Sequence, residues 1–508
     1  MSRDNRQAMS ASPSERPQGP DEHTQASIEL RVQQQFAARD PATGAILGEV
    51  PATAPEHVEE VVAAVAKVQP LWSLLRVRDR ARYMGRMAQA VIDEFDELQE
   101  LIAREQGRPR AEVAALELLP AIDALKWIAE DGAGVLGGRR VAVSRSLAPA
   151  KRARIAFEPY GVIGVIGAGS APFAQPLGQI AGALLAGNGV VFKPAARACL
   201  AGERLARVIA RAGMPEGLVR IVHGGPDVGV ALAKAPVRKV LFTGSPAVGR
   251  VVARACVSRE KEVAVELGGK DAMLVLADAH LRRAVAGALW AGCAGAGQAR
   301  GSVERVYVAR EVHERFLAGL VSGARALRVG DPADPRVQVG PLASPRRVEH
   351  VSALVQEAVA GGATLHCGGP VSPPGCEGGS FYAPAVISGA SEHMRVLRAA
   401  RRAGAGRRGR RFDRRGDRAR ERQRLRPRRV GVDRRSLPGN AHRARAARGH
   451  GLAQRSPARP ERLARAMGRG RRLRARTHAR TGRPARVCSG EAHQLGPAER
   501  ARAVVGPL

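Results

Sequence analysis

The sequence predicts an α/β protein of more than one domain built on parallel sheet, followed by a tail without the means to fold. Three observations predict this. Between residues 161 and about 395, short apolar runs alternate with amphipathic helical stretches, the pitch of strand–helix–strand units. A chain of 508 residues is long enough for more than one hydrophobic core. The net charge of +35 is partitioned: residues 401–508 hold 34 Arg, no Lys and 7 acidic residues, +27, which leaves an ordinary +8 for residues 1–400.

Residues 1–27 are polar and read as a disordered arm. They contain no apolar core of a signal peptide. From residue 56 the pattern turns helical, with Val58, Val61, Val62 and Val65 on one face, and residues 78–131 continue as long amphipathic helices. Gly161–Ile166 reads as a buried strand, Gln175–Ala186 as a helix, Gly187-Asn188-Gly189 as a turn and Val190–Phe192 as a second strand. Residues 201–212 (helix), Val219–Val222 (strand), 227–235 (helix) and Val240–Phe242 (strand) repeat the alternation. After Thr243 come a Gly-rich turn, a helix, the run Val263–Gly269 and a strand at Met273–Leu276. From 398 onward no helix or strand period survives. Residues 399–508 have no Ile, Lys, Tyr or Trp, and Phe412 is their only aromatic. Such a segment buries too little apolar surface to offset chain entropy and is expected to be disordered.

The six cysteines, Cys199, Cys256, Cys293, Cys367, Cys376 and Cys488, form no CxxC pair and are too sparse for a disulfide framework, so a reducing cytoplasm is the expected compartment and no metal site is expected. No apolar run reads as a membrane span.

Phe242-Thr243-Gly244-Ser245, with Gly249 following, ends a strand and starts a helix, where glycines admit a pyrophosphate and the helix N-terminus favours anions. Many strand–helix turns need glycine, so this motif alone is weak. Phe192-Lys193-Pro194 is weak for the same kind of reason, since a strand-end lysine is usually just solvated. Val265-Glu266-Leu267-Gly268-Gly269-Lys270 places an acid in an apolar run, either a buried structural carboxylate or a general base.

Taken in order and spacing, these motifs decide more than any one of them. From about Arg39-Asp40-Pro41-Ala42-Thr43-Gly44 to about Arg398 the chain resembles the aldehyde dehydrogenase superfamily, through Ala186-Gly187-Asn188, Phe192-Lys193-Pro194, Phe242-Thr243-Gly244-Ser245, Glu266–Lys270, Gly297-Gln298 and Phe381-Tyr382-Ala383-Pro384. The resemblance implies a Rossmann-like cofactor domain over 28–242, with N-terminal helices, and an incomplete catalytic domain over 243–398. It implies oxidation of a small-molecule aldehyde to a carboxylic acid with NAD or NADP, through a cysteine thiohemiacetal and a Glu-activated water. Glu266 would be that base. Lys193 and Ser245 would hold the adenine ribose and pyrophosphate, Gly249 would admit the cofactor backbone, and Gly244 and Leu267 would complete the cofactor site.

The chain departs from the family pattern at three places. The nucleophile position, two residues after Gln298, is Arg300, a permanent cation that cannot attack a carbonyl. Cys293 is a poor stand-in and reads as a core residue. The oxyanion Asn is replaced by Ser170, in Ala168-Gly169-Ser170, whose hydroxyl is shorter than an amide. The ribose-binding Glu is Ala196, next to Arg197, which leaves NAD and NADP both open.

The tail reads as a message out of frame. Back-translated one nucleotide later, residues 418–434 can encode ARANDSAYGLGASVWT and residues 460–480 a stretch containing QWGGVGVSGLGR, both family-like, in one frame and in the family's order. A frameshift near 398–405 is expected, whether a genomic lesion or a sequencing error. It would remove the C-terminal share of the family's oligomerisation segment, and an inactive product is the expectation. The competing reading is a non-catalytic cofactor-binding protein, or an Arg-rich arm adhering to nucleic acid. Dense positive charge does adhere to phosphate backbones, but the tail lacks interleaved aromatics and no specific nucleic-acid partner is expected.

Overall fold

The computed structural model describes residues 35–141, 153–398 and the backbone of 502–505. The arm expected over 1–27 and most of the tail expected over 399–508 lie outside the described residues.

A hairpin, β1 (Gln35–Arg39) and β2 (Ile46–Pro51), opens the described chain. Helices α1 (Val58–Leu74), α2 (Val77–Asp93), α3 (Phe95–Gln106), α4 (Arg110–Val113), a π-type turn, α5 (Leu119–Glu130) and α6 (Gly132–Val135) follow. α1 buries Val58, Val62, Val65 and Trp72, the helical spacing read from the sequence. A second hairpin, β3 (Arg139–Val141) and β4 (Ala153–Ile155), leads into the first sheet.

That sheet contains β5 (Val162–Ile166), β6 (Gly189–Lys193), β7 (Val219–Ile221), β8 (Lys239–Gly244) and β9 (Glu262–Leu267). Their order is β7-β6-β5-β8-β9, and every pairing is parallel. The crossovers are α7 (Ala174–Leu185), α8 (Cys199–Arg211), α9 (Pro226–Lys234) and α10 (Pro246–Val257). Both faces of the central strands β5, β6 and β8 are covered, so these strands are buried almost throughout rather than alternating. Ile163, Val165, Val190, Phe192 and Leu241 point to one core, with α2, α3, α5, α7 and α8. Val162, Ile166, Val191, Val240 and Phe242 point to the other, with α1, α9 and α10. The strand order reverses between β5 and β8, and at such a switch point the helices diverge and leave a crevice at the carboxyl ends of the strands.

The second sheet contains β10 (Asp271–Val275), β11 (Val303–Val308), β12 (Thr364–Pro370), β13 (Tyr382–Ser388) and β14 (Arg502–Val505), in the order β10-β11-β14-β13-β12. α11 (Leu281–Cys293), α12 (His313–Ala326), α13 (Pro345–Ala360) and α14 (Arg395–Arg398) pack a separate core with it.

Two expectations are corrected. A domain boundary at 242/243 would cut β8 in two. The chain changes sheets between β9 and β10, at Gly268-Gly269-Lys270, because β9 completes the parallel ladder with β8. The Gly-rich turn after Thr243 is therefore an internal strand–helix turn of the first domain. The tail was expected to hold no strand, yet Arg502–Val505 pairs with both β11 and β13. Composition over a hundred residues does not forbid four of them from adding to an open sheet edge, because backbone groups make the ladder.

Asn188 shows how locally the sheet is set. Its Oδ1 accepts from the Tyr160 amide at 2.6 Å and the Gly161 amide at 3.2 Å, and its Nδ2 donates to the Ala183 carbonyl at 3.0 Å. It is fully buried and joins the end of α7 to the start of β5. Asn188→Ala strands two amide donors without an acceptor and is expected to cost about 2–4 kcal/mol of unfolding free energy in denaturant titration. A loss under 0.5 kcal/mol would show that water takes over the side chain's role.

Candidate active site

The residues singled out in the sequence lie at the carboxyl ends of the first sheet's strands or on the loop leaving α11. Ser170 follows β5, Lys193 ends β6, Gly244 ends β8 with Ser245 next, and Glu266 and Leu267 end β9. β8 and β9 pair Thr243 with Glu266 and Gly244 with Leu267 in register.

Glu266 is not the buried acid that its apolar run allowed: its side chain is half exposed. It is nevertheless engaged, through one carboxylate oxygen. Its Oε2 accepts from Gln175 Nε2 at 2.9 Å and from Arg300 Nη2 at 2.8 Å. Arg300 Nη1 also donates to the Glu266 carbonyl at 3.3 Å. The cation at position 300 thus forms an ion pair, with the guanidinium spanning side chain and backbone of one residue. Gln175 Nε2 also reaches the buried Thr243 Oγ1 at 2.8 Å.

The Arg300 loop is held by a left-handed turn. Gly295, Ala296 and Gly297 all have positive φ, at 61°, 52° and 68°. Ala296 takes that conformation at a steric cost which glycine would not incur. The neighbouring groups that hold the turn are few. Glu112 Oε2 accepts from the Gly295 amide at 2.7 Å, and Gln298 Oε1 accepts from the Ala343 amide at 3.1 Å.

Ser170 is positioned through its carbonyl, which accepts from Arg108 Nη2 at 2.5 Å. Arg108 is 4% exposed and pairs with Glu117, 1% exposed, at 3.1 Å. Glu117 Oε2 accepts from the Phe173 and Ala174 amides at 3.2 and 2.9 Å, where α7 begins. A carboxylate there satisfies orphan helix amides and complements the helix dipole. Arg108 Nε would also lie 3.4 Å from a Cβ built on Gly295, so this guanidinium sits beneath both the Ser170 and Arg300 loops.

At the cofactor end, Lys193 is buried and donates to the Pro194 carbonyl at 2.9 Å. Burial lowers its pKa to about 8, against the opposing pull of Asp227. Ser245 caps α10, its Oγ accepting from the Val248 amide at 3.4 Å. Gly249 does not present an open face: a Cβ there would lie 2.4 Å from Leu267 Cδ2 and 3.2 Å from Phe242 Cε1. Its lack of a side chain lets α10 approach β8 and β9, which sets where the anion-favouring helix end lies. Gly169 is covered by Arg197, whose Nε would be 2.3 Å from a Cβ at that position. A buried lysine and a helix N-terminus at the same crevice suit the phosphates and ribose of a dinucleotide.

Thr243, Gln175, Gln179, Arg108, Glu112 and Glu117 were missed in the sequence. Gln175 and Gln179 carried a usable signal, two polar residues four apart on an apolar helix. The acids Glu112 and Glu117 looked like the charged face of a surface helix.

Cys293 is buried in the second core, and burial pushes its thiol up to about 12. Burial likewise raises the thiols of Cys199, Cys256, Cys367 and Cys376, so none of these five is an activated nucleophile. Cys488 lies outside the described residues. No described helix is long and apolar enough to cross a membrane.

The family model for the aldehyde dehydrogenase family matches residues 30–400. The chain belongs to the aldehyde dehydrogenase family. It is 34% identical over 363 residues to 4,4'-diapolycopene aldehyde oxidase of Methylomonas sp, covering 72% of this chain and 67% of that protein. It is 33% identical over 360 residues to betaine aldehyde dehydrogenase of Rhizobium etli, covering 70% and 73%. Among solved structures, the aldehyde dehydrogenase of Mycobacterium tuberculosis complexed with NAD+ superposes with a TM-score of 0.70 at 31% identity, covering 73% of this chain and 76% of that one. An NADP-dependent enzyme of E. coli superposes at 0.68 and 31%, covering 72% and 74%. The family resemblance read from the motifs holds, as does its class of NAD(P)-dependent oxidoreductases.

The buried acids of this family member give its stability a pH signature. Burial raises Glu112 from 4.5 to about 7, opposed by the Gly295 amide and by Arg108. The folded chain then holds the proton more tightly than the unfolded chain. That contribution is full below pH 4.5 and is lost as pH rises to about 7. Glu112→Gln keeps an acceptor for Gly295 and is expected to flatten the fall in unfolding free energy across this window by one proton, at most about 1.4 kcal/mol per pH unit. Equal slopes for the two proteins would mean that Glu112 is ionised throughout. Glu105 is also raised to about 7, so a residual slope remains.

Proposed function

We propose that this chain is a pseudoenzyme of the aldehyde dehydrogenase family, binding NAD or NADP without oxidising aldehydes. The observation that carries the reading is the 2.8 Å contact of Arg300 Nη2 with Glu266 Oε2. The position that needs a thiolate holds a cation that stays protonated at any physiological pH. The carboxylate that would activate water is committed to that cation and to Gln175. One substitution removes the nucleophile and occupies the base.

Lys193, Gly244, Ser245 and Leu267 are the residues that would hold the dinucleotide, with Gly249 placing α10 for it. NAD(P)+, when bound, supplies a hydride acceptor. Lys193 keeps its proton below about pH 8 and offers a donor to ribose hydroxyls. Ala196 supplies no carboxylate to repel a 2′-phosphate and Arg197 adds a cation nearby, which supports NADP as much as NAD. Ser170 has its carbonyl held by Arg108, which leaves its hydroxyl as the loop's side-chain donor toward a developing oxyanion.

The family match ends at residue 400, where the back-translated tail places the loss of frame. This supports the reading of residues beyond about 400 as out of frame, with the rest of the catalytic domain and the C-terminal oligomerisation segment lost. Resequencing codons 290–410 tests it: a restored frame with Cys at codon 300 would return a complete enzyme.

For the chain as it stands, calorimetric titration is expected to show saturable binding of NAD+ or NADP+, with no aldehyde-dependent formation of reduced cofactor. Aldehyde-dependent reduction that disappears in Glu266→Gln would overturn the proposal. Arg300→Cys is expected to add a thiol that iodoacetamide labels, whereas the unaltered loop takes no label.

A further inference from the structure

The second sheet has a one-strand gap between its two halves. β10 and β11 pair in parallel, and β13 and β12 pair antiparallel. Among the described residues, only β14 joins β11 to β13. Of the two strands that border the gap, β13 is buried on both faces and β11 at alternate residues. Val306 of β11 is 1% exposed, and Ala385, Val386 and Ile387 of β13 are at most 1% exposed, consecutive residues that face both sides of the sheet. Burial of this kind belongs to a strand with layers packed on both of its faces, the setting of an interior strand. Left empty, the gap would put unpaired amides and carbonyls in the middle of a core.

We propose that this gap is a strand-accepting site, filled in cis by Arg502–Val505 through backbone pairing and open to exchange with an extended peptide of the same sequence. Ala503 stands opposite Val306 on one side and Ser388 on the other. Arg502 stands opposite Tyr307, Val504 opposite Ile387, and Val505 opposite Val386. β14 runs antiparallel to both neighbours, a geometry that strand addition readily adopts. Val504-Val505 is the only adjacent pair of β-branched residues in 399–508, and Gly506-Pro507 ends the strand immediately after it. The affinity of strand addition comes mainly from main-chain hydrogen bonds. A segment unrelated to the family sequence can therefore take the site, and the proposal does not rest on the loss of turnover. The strand is short, four residues in all, and main-chain pairing over so few residues favours exchange.

Hydrogen exchange by mass spectrometry on the full chain tests the site. In the unaltered protein, peptides spanning Val303–Val308 and Tyr382–Ser388 are expected to exchange slowly. Val504→Pro removes a ladder donor and is expected to speed both by about tenfold or more, leaving Val162–Ile166 and Gly189–Lys193 unchanged as controls within the first sheet. In a chain ending at residue 498, a synthetic peptide of residues 499–508 is expected to restore slow exchange, and its Val504→Pro version is not. Identical exchange in the unaltered and Val504→Pro chains overturns the proposal, as does fast exchange of both strands in the unaltered chain. Protection that rises with protein concentration overturns the cis assignment and gives the strand to a second copy. If Val504→Pro unfolds the whole chain, the control segments report it, and the truncated chain with added peptide still decides.

Discussion

The buried ion pair of Arg108 and Glu117 is the interaction on which the site's geometry depends. Neither charge reaches water. Desolvating the two is expensive, and the pair is tolerable because its remaining hydrogen-bonding capacity is spent on backbone. Arg108 holds the Ser170 carbonyl, and Glu117 holds the first amides of α7. Burial pushes Glu117 up, and Arg108 and those amides act against it. A helical layer that looks peripheral in the sequence thus sets the loop after β5 and packs against the turn that delivers Arg300. Removal of either partner would leave an uncompensated buried charge beneath both loops.

The far end of α7 is held as firmly. Trp72 Nε1 donates to the Leu184 carbonyl at 2.8 Å and Arg80 Nε to the Leu185 carbonyl at 2.9 Å. These are the orphan carbonyls of a helix C-terminus. With both ends fixed, Gln175 and Gln179 on the same helix are delivered to Thr243, and Gln175 to Glu266. The polar cluster at the crevice floor is a consequence of where α7 can lie. Arg300 completes the cluster, its charge meeting the Glu266 carboxylate.

The second domain is assembled less locally than the first. The matched relatives extend beyond the portion this chain covers, and the family match stops at residue 400. The first domain closes its sheet with five consecutive parallel strands from within residues 162–267. The second must recruit a strand from the end of the chain to join its halves. The contrast follows from topology. A sheet assembled from sequential strand–helix units is complete when the last unit is made. A sheet whose middle strand comes from a distant segment is only as secure as that segment.

The sequence by itself determined the family, the parallel α/β texture and the place of each strand-end motif. Those are local matters: apolar periodicity for β5, β6 and β8, glycine where α10 meets the sheet, and the order of Lys193, Ser245, Glu266 and Arg300. It also raised the expectation that Arg300 stands at the family's nucleophile position, and it showed the abrupt change in composition near 400. Only the tertiary structure decided what these residues touch. Gly249 faces Leu267 and Phe242, a contact between helix and strand that spacing does not reveal. Glu266 stands half exposed and paired, because strand register and the α11 loop bring Arg300 to it across 34 positions. The sheet boundary falls after β9 rather than within β8, since ladder partners, not motif position, define a sheet. The strand at Arg502–Val505 was hidden for the same reason: it owes its existence to two edges elsewhere in the fold, and no property of the tail's composition records them.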